Sequence, residues 1–185
     1  MKRILIPLAA ALIAVCASAQ AQNFELASSD IAPDQSIGAR FVFNGFGCTG
    51  QNVSPGLSWK NAPAGTKSFA VMVHDPDAPT GGAGFWHWVV VNIPATGSGL
   101  PQGAGAGDGK ALPAGAQQIA TDFGAPGWGG PCPPVGDTPH RYNFTVYALK
   151  VDKLELPANA TASLTGFMVN SNAIAKASLS ARYGR

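Results

Sequence analysis

Hydrophobic and polar positions alternate with a period of two over several short stretches of the chain. The alternation runs through residues 69–74 and again through residues 142–149. Because successive side chains of a β-strand point to opposite faces, this period predicts strands. Residues 85–93 are aromatic or β-branched almost throughout, which is typical of a strand covered on both faces. Shorter strands are predicted at 40–43 and 57–59.

A helical period occurs in one segment near the end of the chain. It follows Pro157 and a potential N-cap at Thr161, and its members recur at steps of three and four residues: Leu164, Phe167, Met168, Ser171, Ile174 and Ala175. Runs of strands followed by a late helix predict a mostly β (β-rich α+β) domain with few helices, and exclude an alternating βαβ protein.

The composition agrees with a loop-rich β protein. The 185 residues include 23 glycines and 15 prolines, and only 12% are charged. No internal repeat or linker divides the chain, and the Gly/Ala/Pro-rich stretch 97–115 is predicted to be a surface excursion between strands. Residues 22–185 are therefore predicted to form a single domain, since about 165 residues suffice to bury roughly 70% of the unfolded surface.

The first 21 residues have the pattern of a cleavable signal peptide. Lys2 and Arg3 precede an apolar run over 4–15, and the small residues that follow allow cleavage after Ala19 or Ala21. The pattern predicts a periplasmic or secreted protein. The alternatives are an apolar segment that stays attached as a membrane anchor, and a lipoprotein acylated at Cys16.

Loss of Lys2 and Arg3 leaves ten basic and ten acidic side chains of the original twelve and ten. A formal charge of zero with no basic run argues against a nucleic-acid partner. No second apolar stretch is long enough to cross a bilayer, so no membrane span is predicted in the mature form.

Two cysteines remain after the signal peptide is removed. Cys48 and Cys132 both lie in Gly/Pro-rich loops, and an even pair in an oxidising compartment predicts a disulfide. A bridge over this separation stabilises the fold by about 4 kcal/mol in the chain-entropy model. The alternative is two free thiols.

The polar residues able to do chemistry fall into three clusters, and each alone is weak. Asp75 and Asp77 follow a strand and are held by Pro76 and Pro79, which stiffen the loop and make Ala78–Pro79 a candidate cis bond. The second cluster is an imidazole between two indoles: Phe85-Trp86-His87-Trp88. The third is a Gly/Pro loop that leads into a strand: Gly129-Gly130-Pro131-Cys132-Pro133-Pro134, then His140-Arg141-Tyr142.

In this order and spacing, the clusters resemble the phosphatidylethanolamine-binding proteins, also called Raf-kinase-inhibitor-like proteins, in their short bacterial branch. The resemblance runs from about Phe24 to the C-terminus. It also rests on the segments Asn52-Val53-Ser54-Pro55, Leu57-Ser58-Trp59 and Val89-Val90-Val91-Asn92.

The resemblance implies a large central antiparallel sheet packed on a smaller sheet, with a pocket at one end of the large sheet. That pocket accepts phosphate, acetate or a phospholipid head group. The implied ligand-binding residues are Asp75, Asp77, Pro79, His87, Pro133, Pro134, His140 and Tyr142. Arg141 should point away from the pocket by strand alternation and pair with a carboxylate.

Two carboxylates beside a bound anion would repel it, so their charge must be compensated. We expect Asp75 or Asp77 to accept a hydrogen bond from an imidazole that carries a proton. Tyr142 would supply a neutral donor, and backbone N–H groups around Gly129 and Gly130 would add further donors. This mechanism predicts that anion affinity falls as the pH rises past the imidazole pKa.

The favoured function is an exported small-ligand-binding protein, in the manner of an inhibitor-like module, with no cofactor. The alternative is a hydrolase-like enzyme that uses the Asp/His/Tyr pocket for general acid–base chemistry, although no nucleophile motif accompanies it. A third alternative is a metal site, since two His and one or two Asp are the ligands of a facial-triad metal site. Their positions in the sequence do not show the close spacing that is typical of dedicated metal sites. A protein target and the oligomeric state stay open, a homodimer included.

Overall fold

The computed structural model describes residues 23–185. The predicted signal peptide, its cleavage sites and Cys16 lie outside the described residues. The elements, in chain order, are β1 (Glu25–Ala27), a short 3-10 helix (Ala39–Phe41), β2 (Asn44–Gly45), β3 (Cys48–Thr49), β4 (Leu57–Lys60), β5 (Ser68–Asp75), β6 (Phe85–Pro94), β7 (Gly99–Leu100), β8 (Gln117–Gln118), β9 (His140–Leu149), α1 (Ala162–Asn172) and β10 (Ala173–Tyr183).

A five-stranded sheet forms the centre of the molecule, in the order β10-β9-β5-β6-β8. All of its described pairings are antiparallel, and β5 lies in the middle between β9 and β6. A three-stranded sheet, β1-β4-β7, and the β2-β3 hairpin are smaller. The predicted fold class, mostly β with a large antiparallel sheet, a smaller sheet and few helices, is confirmed.

Each face of the large sheet packs against a different layer, because side chains alternate along β5 and β6. Val71 and Trp88 belong to a cluster that includes Leu57 and Trp59 of the smaller sheet. Met72 and Val89 belong to a second cluster, on the other face, which also contains the helix. Residues 87–93 are all buried, whichever face they point to, so the prediction of a strand covered on both faces is confirmed there.

The predicted helix is present but ends before the last residues of the segment with helical periodicity. Thr161 is its N-cap, and the Thr161 hydroxyl accepts a hydrogen bond from the backbone N–H of Leu164 (3.1 Å). The helix ends at Asn172, so the prediction that Ile174 and Ala175 continue it was wrong. These residues open β10, which pairs with β9 along its whole length. Cross-strand pairing outweighs the helical propensity of this alanine-rich segment.

Three further local predictions need correction. The strand predicted at 40–43 is absent, because Phe41 and Val42 donate backwards to Gly38 and Ala39 and close a 3-10 turn. The described residues contain no cis peptide bond, so Ala78–Pro79, a candidate for a cis bond, is trans. The stretch 97–115 is not wholly a surface excursion, since it contains β7 with Leu100 buried in the core.

Two further predictions concern the strand at 57–59 and the absence of a membrane span. The strand predicted at 57–59 is present as β4. In the part of the chain from residue 23 onward, the single α-helix has eleven residues, and no helix there is long and apolar enough to span a bilayer.

Candidate functional site

The polar clusters meet at one end of the large sheet. Asp75 is the last residue of β5, whereas His87 lies near the start of β6 and His140 opens β9. Because β6 and β9 both run antiparallel to β5, their first residues lie beside its last ones. Three segments that are distant in sequence thus converge at a single sheet edge.

A cavity of about 250 Å³ lies at this edge. Seven of the eight residues implied by the resemblance line it, namely Asp75, Pro79, His87, Pro133, Pro134, His140 and Tyr142. The remaining lining residues are Phe46, Ala78, Thr80, Phe85, Phe123 and Cys132. Phe46 and Phe123 lie in loops whose sequence has no periodic pattern, so pattern-based reasoning had no signal for them.

Asp75 and His140 form a buried pair at the floor of the cavity. The Asp75 Oδ2 atom lies 2.7 Å from His140 Nδ1, and the two side chains are 4% and 3% exposed. The other oxygen of Asp75 accepts hydrogen bonds from the backbone N–H groups of Asp77 (2.8 Å) and Ala78 (3.1 Å). His140 Nε2 lies 3.3 Å from the carboxylate of Asp137. Both ring nitrogens of His140 therefore face carboxylates, and neither is free for a ligand.

Asp77 lies outside the cavity, contrary to the prediction that it lines it. Its carboxylate accepts hydrogen bonds from Arg141 through Nη2 (2.6 Å), Nε (2.9 Å) and the backbone N–H (2.8 Å). The hydrogen bond from the guanidinium is the main cause that lowers the pKa of Asp77 to about 2. Arg141 alternates with His140 and Tyr142 along β9 and faces the opposite side. The turn after β5 carries Asp77 to that side as well.

His87 is a buried imidazole that retains one free nitrogen. Its Nδ1 lies 2.6 Å from the carbonyl of Gly129, and since a carbonyl only accepts, Nδ1 carries the hydrogen. Burial lowers the pKa of His87 to about 4, so the ring is neutral at pH 7. Nε2 then has a lone pair, and it has no hydrogen-bond partner within residues 23–185.

Tyr142 faces His87 edge to face, with ring centroids 5.0 Å apart. Its hydroxyl is buried and, alone among the buried side-chain polar atoms of the described residues, has no hydrogen-bond partner. Burial, and next the nearby carboxylate of Asp75, raise the pKa of the Tyr142 phenol above its usual range. The phenol is thus a neutral donor that makes no well-formed hydrogen bond in the protein, although the Asp75 carboxylate is close enough to interact with it.

The Gly/Pro loop supports the site but does not supply ligand-binding N–H groups. Gly129 donates to the carbonyl of His87 (2.9 Å), and Gly130 donates to the side chain of Asn52 (2.8 Å). The expectation that these two N–H groups point at an anion was therefore wrong. A Cβ at Gly130 would overlap the carbonyl of Phe41, which explains why a glycine is needed there.

The predicted disulfide between Cys48 and Cys132 is present, with the two Cα atoms 6.0 Å apart. It joins the β2-β3 hairpin to the loop that carries Pro133 and Pro134, both on the cavity wall. Among residues 23–185, no group of three or more His, Cys, Asp or Glu side chains is arranged to hold a metal ion.

Comparisons with known proteins point to one family. Residues 27–184 match the family model described as phosphatidylethanolamine-binding protein. YbcL of Escherichia coli (strain K12) is 52% identical over 166 residues, which cover 90% of each chain. YbhB of the same organism is 48% identical, covering 86% of this chain and 99% of YbhB.

A solved structure agrees with the fold. The crystal structure of E. coli YbcL, described as a new member of the mammalian PEBP family, superposes with a TM-score of 0.85 at 51% identity, covering 88% of this chain and 98% of that chain. A more partial relative is the putative lipoprotein LppC of Mycobacterium tuberculosis (strain ATCC 25618 / H37Rv), 45% identical over 63% of this chain and 52% of LppC.

Proposed function

Since the chain belongs to the phosphatidylethanolamine-binding protein family, we propose that it binds a small acid group, such as phosphate, acetate or a phospholipid head group, in the cavity beside Asp75. One observation carries the proposal. An unpaired donor, the Tyr142 hydroxyl, and an unpaired acceptor, His87 Nε2, line the same cavity.

The unpaired hydroxyl favours a ligand with an acceptor oxygen. Leaving a buried donor unsatisfied costs about 1–3 kcal/mol, so a ligand oxygen that accepts from Tyr142 recovers this free energy. The hydroxyl is therefore the group that binds the acid oxygen.

The neutral imidazole selects the protonation state of the ligand. Because His87 Nε2 accepts at pH 7, the acid group that meets it must still carry a hydrogen. A fully ionised group would also face the carboxylate of Asp75, and like charges about 4 Å apart repel by about 4 kcal/mol at an effective dielectric of 20. The bound form is thus the phosphate monoanion, H2PO4⁻, or the neutral carboxylic acid, since these combine a hydrogen for His87 with the lower charge beside Asp75. In a phospholipid head group, whose phosphodiester has no ionisable hydrogen near pH 7, the hydrogen would come from the alcohol or ammonium part of the head group. Affinity falls as the pH rises because the ligand loses that hydrogen.

Export from the cytoplasm is part of the proposal. The pattern of residues 1–21 supports it, and so does the disulfide, since disulfides persist mainly in oxidising compartments. The relative LppC is itself named as a lipoprotein.

The test is a calorimetric titration with inorganic phosphate. Tyr142→Phe removes one hydroxyl that has no partner in the protein, so the variant should fold normally and bind phosphate about ten-fold more weakly. Tyr147→Phe is the matched control, since Tyr147 is also a mostly buried tyrosine of β9 but its side chain packs on the opposite face of the sheet. Equal affinity in wild type and Tyr142→Phe, or tighter binding at pH 8 than at pH 5.5, would refute the proposal.

A further inference from the structure

Two segments that are distant in sequence form one wall of the cavity. The first is the β2-β3 hairpin, whose turn contributes Phe46, and the second is residues 131–134, which contribute Cys132, Pro133 and Pro134. We call these two segments the lip. The polar side chains of the site lie on the central strands β5, β6 and β9, so the lip is a separate part of the site.

The lip makes few backbone hydrogen bonds of its own. The hairpin has only two pairs of residues in register, and so short a pairing has little stability by itself. In the second segment Pro131, Pro133 and Pro134 have no backbone N–H, which leaves Cys132 as the single backbone donor. The carbonyl of Pro131 accepts a hydrogen bond from the N–H of Phe43 (3.1 Å). Neither segment is therefore held in place by regular secondary structure.

The turn of the hairpin is strained. Phe46 and Gly47 both have positive φ, 52° and 82°, and a bulky residue rarely adopts this conformation. The Phe46 ring contacts that of Phe123, with centroids 6.0 Å apart, yet it is 71% exposed, so its packing offsets little of the strain. We therefore expect the turn to leave this position unless it is held from outside.

Two cross-links join the segments of the lip to each other. The first is the disulfide between Cys48 and Cys132. The second is the side chain of Arg185, which donates from Nε to the carbonyl of Pro133 (2.6 Å) and from Nη2 to the carbonyl of Phe46 (3.2 Å). A planar guanidinium can donate in two directions at once, which suits a bridge between two carbonyls. One covalent and one hydrogen-bonded link thus hold the same pair of segments.

We propose that the disulfide and Arg185 together position the lip, and that reduction of the disulfide by a dithiol weakens ligand binding without unfolding the central sheet. The inference rests on the proposed function, because the lip acts on a ligand held by Tyr142 and His87. Loss of the lip removes van der Waals contacts with that ligand and raises the effective dielectric around it, which weakens its hydrogen bonds. Arg185 is a positioning residue, since it acts through Phe46 and Pro133.

Cys132 is the more accessible half of the disulfide. It is partly exposed and lines the cavity, whereas Cys48 is 7% exposed. A thiolate of the dithiol bonds to Cys132 Sγ while the bond between the two cysteines breaks, and the electron pair leaves with Cys48 Sγ, which then takes up a proton. The second thiol of the reductant displaces Cys132, which is also protonated. The dithiol is thereby oxidised to a disulfide, and the two cysteines are reduced to thiols.

The test is a calorimetric titration with inorganic phosphate of wild type and Arg185→Lys, each oxidised and each reduced with dithiothreitol. Arg185→Lys keeps the charge at the lip but loses the planar fork that reaches both carbonyls. We expect the oxidised variant to bind within about two-fold of oxidised wild type, and reduced wild type to bind about five-fold more weakly. The reduced variant should bind about fifty-fold more weakly, which exceeds the product of the separate losses, because each link still holds the lip when the other is absent.

Arg182→Lys is the matched control. Arg182 is also an exposed arginine of β10, but it lies in a groove whose lining contains no residue of the lip. This variant should respond to the reductant as wild type does. The double variant Cys48→Ser, Cys132→Ser should bind phosphate as reduced wild type does, whether or not dithiothreitol is present.

Hydrogen exchange on the same samples shows whether the sheet stays folded. In the reduced protein, peptides from 44–49 and 131–136 should exchange faster than in the oxidised protein, whereas 142–148 should remain the slowest. Equally fast exchange of the lip and of 142–148 would show that reduction unfolds the whole protein, and would overturn the inference.

The binding data separate the inference from the proposed function. If oxidised wild type binds phosphate and reduction leaves the affinity unchanged, or if the two losses only multiply in the reduced variant, the inference is wrong and the proposed function stands. If oxidised wild type does not bind phosphate, the proposed function fails and the inference fails with it.

Discussion

At the scale of single residues, burial determines the protonation state of His87. The folded pKa of about 4 lies below the ordinary value of 6.5 because the ring is desolvated. Between these values the unfolded chain binds a proton that the folded protein does not. The free energy of unfolding is therefore highest above pH 6.5 and falls as the pH drops towards 4.

We expect this residue to lower the free energy of unfolding by about 3 kcal/mol between pH 7 and pH 4. Urea unfolding of wild type and His87→Gln at several pH values measures it, and the variant should show a shallower decline. Asp77 does not affect the comparison between pH 7 and pH 4. Its pKa falls from 3.8 in the unfolded chain to about 2 in the folded protein, so the stability that its ionised form provides is lost only below pH 3.8. Parallel pH profiles for wild type and His87→Gln would contradict the assignment.

The sequence predicted most polar residues of the site but not how each is used. Asp75, His87, His140 and Tyr142 could be placed because each belongs to a motif at a strand end. The divergence of Asp77 from Asp75 depends on the direction of the turn after β5, which alternation does not determine. The partners of the Gly129 and Gly130 N–H groups depend on Asn52, a residue distant in sequence.

At the scale of elements, the disulfide links the β2-β3 hairpin to the loop before β9. Cys48 and Cys132 are separated by 84 positions, so the link removes considerable conformational freedom from the unfolded chain. The hairpin itself contains only two pairs of residues in register. Such a short pairing has little stability of its own.

Replacement of both cysteines by serine should lower the free energy of unfolding by about 4 kcal/mol in the chain-entropy model. Urea unfolding of the double variant against the oxidised wild type measures the loss. Wild type treated with a reductant provides the matched comparison, since it keeps the same side chains apart from the bond and should unfold at lower urea than the oxidised form. Coincident curves for oxidised and reduced wild type would show that the link does not stabilise the fold.

The elements that sequence patterns predicted are those with strong alternation or strong apolar runs. Strands β5, β6 and β9 have these signals because both of their faces are buried or one face is strictly apolar. Strand β10 was missed since its inward residues include the small Ala177 and Ala181, which give a weak signal. Its conformation is imposed by the neighbouring strand β9, which offers a full row of backbone partners.

At the scale of the whole molecule, strand order brings the site together. Alternation predicts strands but does not say which strands are neighbours, so the convergence of Asp75, His87 and His140 followed only from the family resemblance. The structure gives the physical basis, which is that β5 runs between two antiparallel partners and ends where both of them begin.

The central position of β5 also divides the binding site into two parts with different rates of hydrogen exchange. The floor belongs to strands whose amides open only when most of the sheet unfolds, whereas the turns at 45–47 and 80–84 can open locally. In deuterated buffer, peptides from 69–74 and 142–148 should exchange slowest, and those from the two turns fastest. Bound phosphate should slow exchange in both parts, because a ligand that binds only the folded state also makes unfolding of the sheet rarer, and the turns should remain the part that exchanges faster. Ligand capture would then proceed by local opening of the rim over a preformed base.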